Sequence, residues 1–319
     1  MANTDHILIE PTPVAATNTM RGWLLDADSS DSYVSDEYST RRLLECAVEE
    51  GIHLEIITPE MFDLVVTRDD RKSVVVKGAI SSLPQFLIPR MGARTTYYGL
   101  AVIRQLERMG VATINSSESI EKVKDKLHTQ QLLAQSNLPV PRTMLVKHPV
   151  SVDLVQAQVG FPLVVKTLSG TRGAGVYLAE TPSGFGDLME LIHETRGNTN
   201  LILQEFIEPS RGRDLRVFVL GGRPVACVER TSTDGGFKAN HSRGGKVRPY
   251  TLTPEIEWMA TETARIVGLE IAGIDLLIDG DGYRVCEANS APGFWSIEEC
   301  TEVNLSSLIF RYLRIRLGR

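Results

Sequence analysis

Cysteine is scarce in this chain, and what there is stands apart. Cys46, Cys227, Cys286 and Cys300 are the only four in 319 residues, and no CxxC pair occurs. That spacing offers neither a zinc cluster nor a disulfide framework, so reduced structural thiols in a cytoplasmic setting are the expectation. Long apolar runs are missing too. None approaches the roughly 18 residues that a membrane helix needs, so no membrane span is expected. The first twenty residues, Met1 to Met20, have no basic start and no apolar core. They predict a flexible lead-in around Pro11 and Pro13, not a secretory signal. There is no basic excess: 34 Lys and Arg against 40 Asp and Glu give a net charge of −6. Nothing in that balance marks a nucleic-acid partner. The phosphate-loop pattern GxxxxGK[ST] is absent, as is a GxGxxG that follows a strand and opens a helix. No repeat of about 20–50 residues and no low-complexity block is visible.

What is present is ordinary globular material, 42% hydrophobic and 23% charged, enough for two or three small domains. From residue 21 to about 115, strand-like and helix-like pieces alternate. Trp23-Leu24-Leu25, Leu54 to Ile57 and Phe86-Leu87-Ile88 read as strands, and Arg41 to Glu50 and Tyr97 to Met109 as helices ended by Gly51 and Gly110. Such alternation predicts a parallel sheet. A single helix is predicted from about Ile120 to Gln135, with Asn115 and Glu118 as its capping box. Leu138-Pro139-Val140-Pro141 is a stiff break. Strands follow at Leu163–Lys166, Val176–Ala179, Leu201–Glu205, Leu215–Leu220, Pro224–Arg230, Ala272–Ile278 and Tyr283–Ala288. Helices are predicted near Phe185–Arg196, Pro254–Val267 and Leu305–Leu317.

The densest information lies between Ile274 and Asn289. Two apolar, strand-forming runs flank Asp279-Gly280-Asp281-Gly282, which is a hairpin signal. Glu287 and Asn289 are two apart, so a strand points them to one side. A register that pairs Asp275 with Glu287 would gather three hard oxygen donors. Mg²⁺ takes such donors and holds phosphates through one or two carboxylates. The plain alternative is a hairpin with a solvated polar rim. An EF-hand loop is not indicated, because Asp279 and Asp281 lack the later ligands and strands flank them.

Lys166 ends an apolar strand and is followed by Ser169 to Gly175. Gly170, Gly173 and Gly175 there free the backbone to point N–H groups at anionic oxygen. A plain glycine-rich hairpin turn is the alternative. Gln204-Glu205-Phe206-Ile207 could offer backbone groups to a purine edge, and Asp214 could hold ribose hydroxyls. The run Asp234 to Lys246, with Lys238, Asn240, His241 and Arg243, reads as a cationic loop over a reacting phosphate. Glycines near both ends suit a lid that hinges; a solvated loop is the alternative.

With these residues in view, the chain resembles the ATP-grasp superfamily, and within it the RimK-like carboxylate–amine ligases. The resemblance runs from about Tyr38 to the C-terminus. It is carried by Ile88-Pro89-Arg90-Met91-Gly92, Tyr97-Tyr98-Gly99, Asp125-Lys126-Leu127, Pro162 to Lys166, Gln204 to Ile207, Gly212-Arg213-Asp214, Asn240 with Arg243-Gly244-Gly245, Gly273-Ile274-Asp275 and Glu287-Ala288-Asn289. It implies an α/β (α+β ATP-grasp) fold, in which an N-terminal parallel-sheet domain precedes two α+β domains that clamp ATP. The implied boundaries are a segment 1–20, a first domain 21–118, a central domain 119–205 and a C-terminal domain 206–319. By the same resemblance Lys126 and Lys166 meet phosphates, Glu205 and Phe206 fall at the adenine hinge, and Asp214 lies at the ribose. Lys238 and Asn240 lie where a large loop meets ATP. Asp275, Glu287 and Asn289 hold Mg²⁺ or Mn²⁺, with two ions expected. Gly293-Phe294-Trp295-Ser296 is bulkier than expected after this motif in protein-modifying members.

The reaction implied is amide formation. A carboxylate is a poor acyl donor at neutral pH, and phosphoryl transfer from ATP makes an acyl phosphate that an amine can attack. Lysines, the metal and the candidate arginines Arg230 and Arg243 would stabilise the migrating charge. The expected partners are ATP, a carboxylate acceptor and an amino-acid amine donor, glutamate first among them, in a chain that can form a homodimer or homotetramer. Arg90 and Arg94 are candidates to read glutamate's carboxylates. Three rivals stand beside this reading: a ligase adding glutamate to a protein C-terminus, a small-molecule kinase, and a non-catalytic ATP-binding scaffold.

Overall fold

Alternating apolar strands and amphipathic helices build the first unit. In the computed structural model, which describes residues 19–27, 34–66, 72–80, 82–167, 175–196, 199–233, 235–238 and 245–319, β1 (Arg21–Leu25), α1 (Val34–Glu49) and β2 (His53–Ile57) open the chain. They are followed by β3 (Phe62–Val66), β4 (Lys72–Val76), β5 (Ala79–Ile80), β6 (Phe86–Pro89), α2 (Tyr97–Arg108) and β7 (Ala112–Thr113). The main sheet has the order β2-β1-β6-β7, every pair parallel, as the alternation predicts. Its central strands are apolar throughout because both faces are covered. Trp23, Leu25 and Leu87 pack on Val102, Ile103 and Leu106 of α2, while Leu24, Phe86 and Ile88 pack on Leu43 and Cys46 of α1. The antiparallel sheet β3-β4-β5 was not foreseen. Its second turn, Lys77-Gly78, has φ of 52° and 76° at its two residues, a primed hairpin turn without the usual Asn-Gly or Asp-Gly signature.

The expected helix from Ile120 to Gln135 is two helices, α3 (Ser117–Lys124) and α4 (Lys126–Gln135). Asp125 breaks them apart. Its backbone is extended (φ −86°, ψ 104°), and its side chain accepts from the N–H groups of Leu127 and His128 as the cap of α4. The expected capping box is also replaced. Ser116 caps α3, and Asn115 is buried in the joint between the first and last units. Its amide donates to the carbonyls of Ile271 (2.7 Å) and Ser290 (2.8 Å) and accepts from the N–H groups of Glu270 and Ile271.

The next unit comprises β8 (Thr143–Val146), α5 (Val152–Gln158), β9 (Leu163–Thr167), β10 (Val176–Ala179), α6 (Pro182–Arg196) and β11 (Leu201–Glu205). The sheet is antiparallel, ordered β10-β9-β11-β8. Leu163, Val165, Leu201 and Leu203 bury one face under Val155, Phe185 and Met189. Period-two alternation therefore turns Val164, Lys166, Ile202 and Gln204 to the other face.

The last unit holds β12 (Arg213–Leu220), β13 (Arg223–Thr231), β14 (Lys246–Pro249), α7 (Pro254–Val267), β15 (Ile271–Asp279), β16 (Gly282–Asn289), α8 (Trp295–Cys300) and α9 (Leu305–Arg316). Its antiparallel sheet runs β14-β13-β12-β15-β16. Leu215, Val217, Ile274, Leu276 and Val285 pack on Ile256, Met259 and Ala264 of α7. The opposite face is divided. Phe218, Val228 and Ile271 join Phe294, Phe310 and the first sheet in one core; the remainder of that face carries charge. Among the described residues no helix is long and apolar enough to cross a membrane.

Candidate active site

Strands β15 and β16 meet in the register expected from the sequence: Asp275 faces Glu287, and Gly273 faces Asn289. The ladder is not regular. Leu276 pairs with Val285, so Cys286 is the extra residue of a bulge. Strict alternation would send Val285 and Glu287 to the same face. The bulge lets Val285 enter the core while Glu287 turns to the polar side. Gln130 of α4 secures it, donating to the Cys286 carbonyl at 2.9 Å.

A row of charge crosses the sheet from this point. Arg216 of β12 pairs with Asp275 in the ladder and grips both of its carboxylate oxygens, with Nη2 at 2.7 Å from Oδ2 and Nε on Oδ1. Asp214, two residues away on the same face, is held by both Arg230 Nε (2.7 Å) and Nη2 (2.6 Å). Arg230 also reaches diagonally to Asp275 Oδ2, at 3.0 Å. Both Asp275 and Arg230 are buried. Burial pushes the Asp275 carboxyl up, but Arg216 and Arg230 outweigh it and hold it below the usual range. Asp214 goes the other way, since burial outweighs its arginine and raises it. Burial opposes the charge on Arg230, yet Asp214 and Asp275 together raise its pKa.

Two lysines stand on the Glu287 side. The break at Asp125 places Lys126 at the start of α4, with Nζ 3.1 Å from Glu287 Oε1. Glu287 raises the pKa of Lys126. Burial raises Glu287, but Lys126 and Lys166 bring it below its ordinary value. Lys166 of β9 donates to Gln204 Oε1 at 2.6 Å and lies 3.8 Å from Cys286 Sγ. Val123, Lys126, Lys166, Ile202, Gln204 and Glu287 thus line one cleft between the β8–β11 sheet and the β12–β16 sheet. A larger depression at Met20, Glu50, Ile52 and Arg314 lies apart from these groups.

The remaining sequence candidates divide. Gln204 is buried and bridges Lys166 to Thr143. The Glu205 side chain ties Arg142 to Arg284 of β16, joining the two sheets. Ile207 is buried, and Phe206 packs edge-on to Phe237 at 6.3 Å under Arg211. Lys238 lies 5.8 Å from the centre of the Tyr177 ring on β10, so the end of the 235–238 segment touches the β8–β11 sheet. Gly175 has φ +70°, and a Cβ there would collide with Thr167 Oγ1. Gly170, Gly173, Asn240 and Arg243, and with them most of the expected lid, lie outside the described residues. Arg90 is buried, donates to the Pro292 carbonyl at 2.9 Å and lies over the Phe294 ring; Arg94 pairs with Asp26 at 3.1 Å. Phe294, singled out for its bulk, is a core residue between Tyr38 and Phe218. Arg216 and Gln130 were missed. Arg216 lies in the predicted strand Leu215–Leu220, but its partner is 59 residues away, and no local pattern links them.

The donor set suits a hard divalent cation. It offers two facing carboxylates and one amide, and Asn289 Nδ2 donates to the Gly273 carbonyl (3.2 Å), which leaves its Oδ1 as the remaining acceptor. No three His, Cys, Asp or Glu residues converge on a metal site among the described residues; the set depends on an asparagine.

These features are those of a nucleotide-clamping ligase, and comparison with known proteins agrees. A family model described as the RimK-like ATP-grasp domain matches residues 123–313, and one described as the RimK PreATP-grasp domain matches residues 32–120. A probable alpha-L-glutamate ligase of Legionella pneumophila (strain Paris) is 40% identical over 279 residues, covering 86% of this chain and 91% of that one. Among solved structures, the ATP-grasp ligase PsnB complexed with minimal precursor, Mg and ADP superposes with TM-score 0.69 at 19% identity, covering 93% of this chain and 98% of that one. A D-alanine–D-alanine ligase from Bacillus anthracis gives TM-score 0.67 at 15% identity, over 93% and 99%. The chain belongs to the RimK-like ATP-grasp family. It is an ATP-dependent carbon–nitrogen ligase, of a family that uses ATP and Mg²⁺.

Proposed function

We propose that the enzyme joins glutamate, as the amine, to a carboxylate acceptor through an acyl phosphate. The observation that carries this is the cleft where Glu287, opposite Asp275, meets Lys126 with Lys166 alongside. In this reading ATP lies between the β9–β11 face and the β15–β16 hairpin. The backbone of Gln204 to Ile207 meets the adenine. Asp214 accepts from the ribose hydroxyls; a carboxylate has about four lone-pair sites, so it can do this while Arg230 still holds it. Lys126 and Lys166 balance phosphate charge, with the glycines at 170, 173 and 175 and with Lys238 and Asn240. Asp275, Glu287 and Asn289 would hold one or two Mg²⁺ or Mn²⁺ ions, which would supply Lewis-acid withdrawal of charge from phosphate. Arg230 and Arg243 stabilise the γ-phosphoryl as it passes to the acceptor. A supply of ATP and glutamate fits a cytoplasmic setting.

The test is ADP release over a matrix of carboxylates and amines, with mass spectrometry of the product. ADP release that needs both a carboxylate and glutamate, with a product heavier by one glutamyl residue, is expected. Release that depends on no amine would point to a kinase instead.

A further inference from the structure

Asp275 already has a cation. Arg216 covers both carboxylate oxygens side-on, and Arg230 adds a third contact at 3.0 Å. Glu287, its neighbour across the ladder, has Lys126. Each carboxylate of the pair thus carries its own internal cation, which relieves the repulsion that two facing carboxylates would otherwise feel. A divalent ion needs direct oxygen ligation in near-octahedral geometry. A bidentate guanidinium lies in the same carboxylate edge and competes for it. We propose that Arg216 is the metal site's built-in counter-ion, a positioning residue that holds Asp275 in the cation's place until metal arrives with nucleotide. This rests on the assignment of Asp275, Glu287 and Asn289 as metal ligands.

The backbone is shaped for this exchange. Gly273 precedes Asp275 by two residues, on the same face. A Cβ there would lie 3.2 Å from Arg216 Cδ, 3.4 Å from its Nη1 and 2.7 Å from Pro292 Cβ. The missing side chain makes the space that the guanidinium fills. Arg216 also sits on the boundary of its sheet face, between buried Phe218 and the charged pair Asp214–Arg230. Charge balance sets the order of events. A bare divalent ion must displace Arg216 and leave a cation without a partner. A nucleotide brings phosphate oxygens that take up the displaced guanidinium and Lys126. Metal affinity and nucleotide affinity are coupled through Arg216.

The experiment is Mn²⁺ titration followed by electron paramagnetic resonance, on the full chain, with and without a non-hydrolysable ATP analogue. The expected result is counter to a structural role. Without nucleotide, Arg216→Gln binds Mn²⁺ about tenfold more tightly than wild type, the scale of one charge-assisted contact, and the gap narrows once the analogue is added. Arg216→Lys, which keeps the charge but not the two-pronged grip, falls between them and serves if the glutamine variant does not fold. Arg248→Gln removes the same charge from the same sheet, where Arg248 pairs with Glu229, and should leave Mn²⁺ affinity near wild type. Nucleotide-free binding by both Arg216 variants no tighter than wild type, or a gain matched by Arg248→Gln, overturns the proposal. The ligand assignment is checked separately, by Glu287→Gln with the analogue present. Undiminished Mn²⁺ binding there removes the assignment itself, whereas diminished binding with unresponsive Arg216 variants removes the counter-ion alone.

Discussion

Asp275 and Glu287 stand opposite each other across the β15–β16 ladder, one step from the bulge at Cys286. The bulge separates two demands on one strand. Val285 is buried beneath α7, and two residues later Glu287 faces Lys126. The hairpin therefore serves at once as core and as one wall of the cleft that Lys126 and Lys166 line.

If those two carboxylates hold the metal, neither can be replaced by its amide. Asp275→Asn and Glu287→Gln are each expected to lower ADP formation at least about a hundredfold, the scale at which a single charge-stabilising group acts. A steady-state ADP assay beside circular dichroism checks this. A folded Glu287→Gln enzyme turning over at the wild-type rate in limiting Mg²⁺ would contradict it.

Lys166 sits between Gln204 and Cys286 in the cleft. Lys166→Ala should raise the nucleotide dissociation constant about tenfold or more, from roughly 1.5–3 kcal/mol for a charged hydrogen bond. Calorimetry with a non-hydrolysable analogue measures it directly, and an unchanged constant would move the phosphates elsewhere.

Asn115 makes four hydrogen bonds across the joint between the first and last units. Asn115→Ala leaves buried carbonyl and N–H groups unpaired, so stability should drop by about 3 kcal/mol or more. Urea unfolding is the check; a loss under about 1 kcal/mol would mean that water replaces the amide.

Acid should weaken the fold at the same cleft. Asp275 and Glu287 both titrate below their ordinary values, because after burial is outweighed their cations favour the charged form. Their contribution is complete above the unfolded-state values and is lost as pH falls through the lower folded ones. Asp214, raised by burial, offsets part of this. Glu287→Gln should flatten the acid limb of a melting-temperature profile, and an unaltered limb would show that Glu287 is not held ionised by the fold.

The hairpin could be read in the sequence because period-two apolarity and an Asp-Gly turn are local signals. The opposition of Asp275 to Glu287 followed from them, whereas Lys166 was read from the apolar strand it ends and the glycines that follow. The helix break was missed because Ile120, Val123 and Leu127 continue one apolar stripe through Asp125, whose side chain caps the second helix. Asn115 was read as a cap for the same reason: short polar residues suit a cap, and a partner some 156 positions away leaves no trace nearby. Arg216 and Arg230 are alike. Their strands were evident, but their grip on Asp275 is set by the sheet order β13-β12-β15, which topology decides. The sheet of β3 to β5 escaped because its turn, Lys77-Gly78, is an uncommon one.

In the proposed reaction a carboxylate is activated by phosphate in this cleft before an amine attacks it. Running the reaction with the acceptor's carboxylate oxygens labelled with ¹⁸O, and weighing the phosphate released, tests it most directly. One acceptor oxygen bonds to the γ-phosphorus and leaves with it when the amine displaces phosphate. One ¹⁸O in each phosphate and one in the amide product are expected. Unlabelled phosphate beside an amide that carries one ¹⁸O, the other label having left as water, would contradict it.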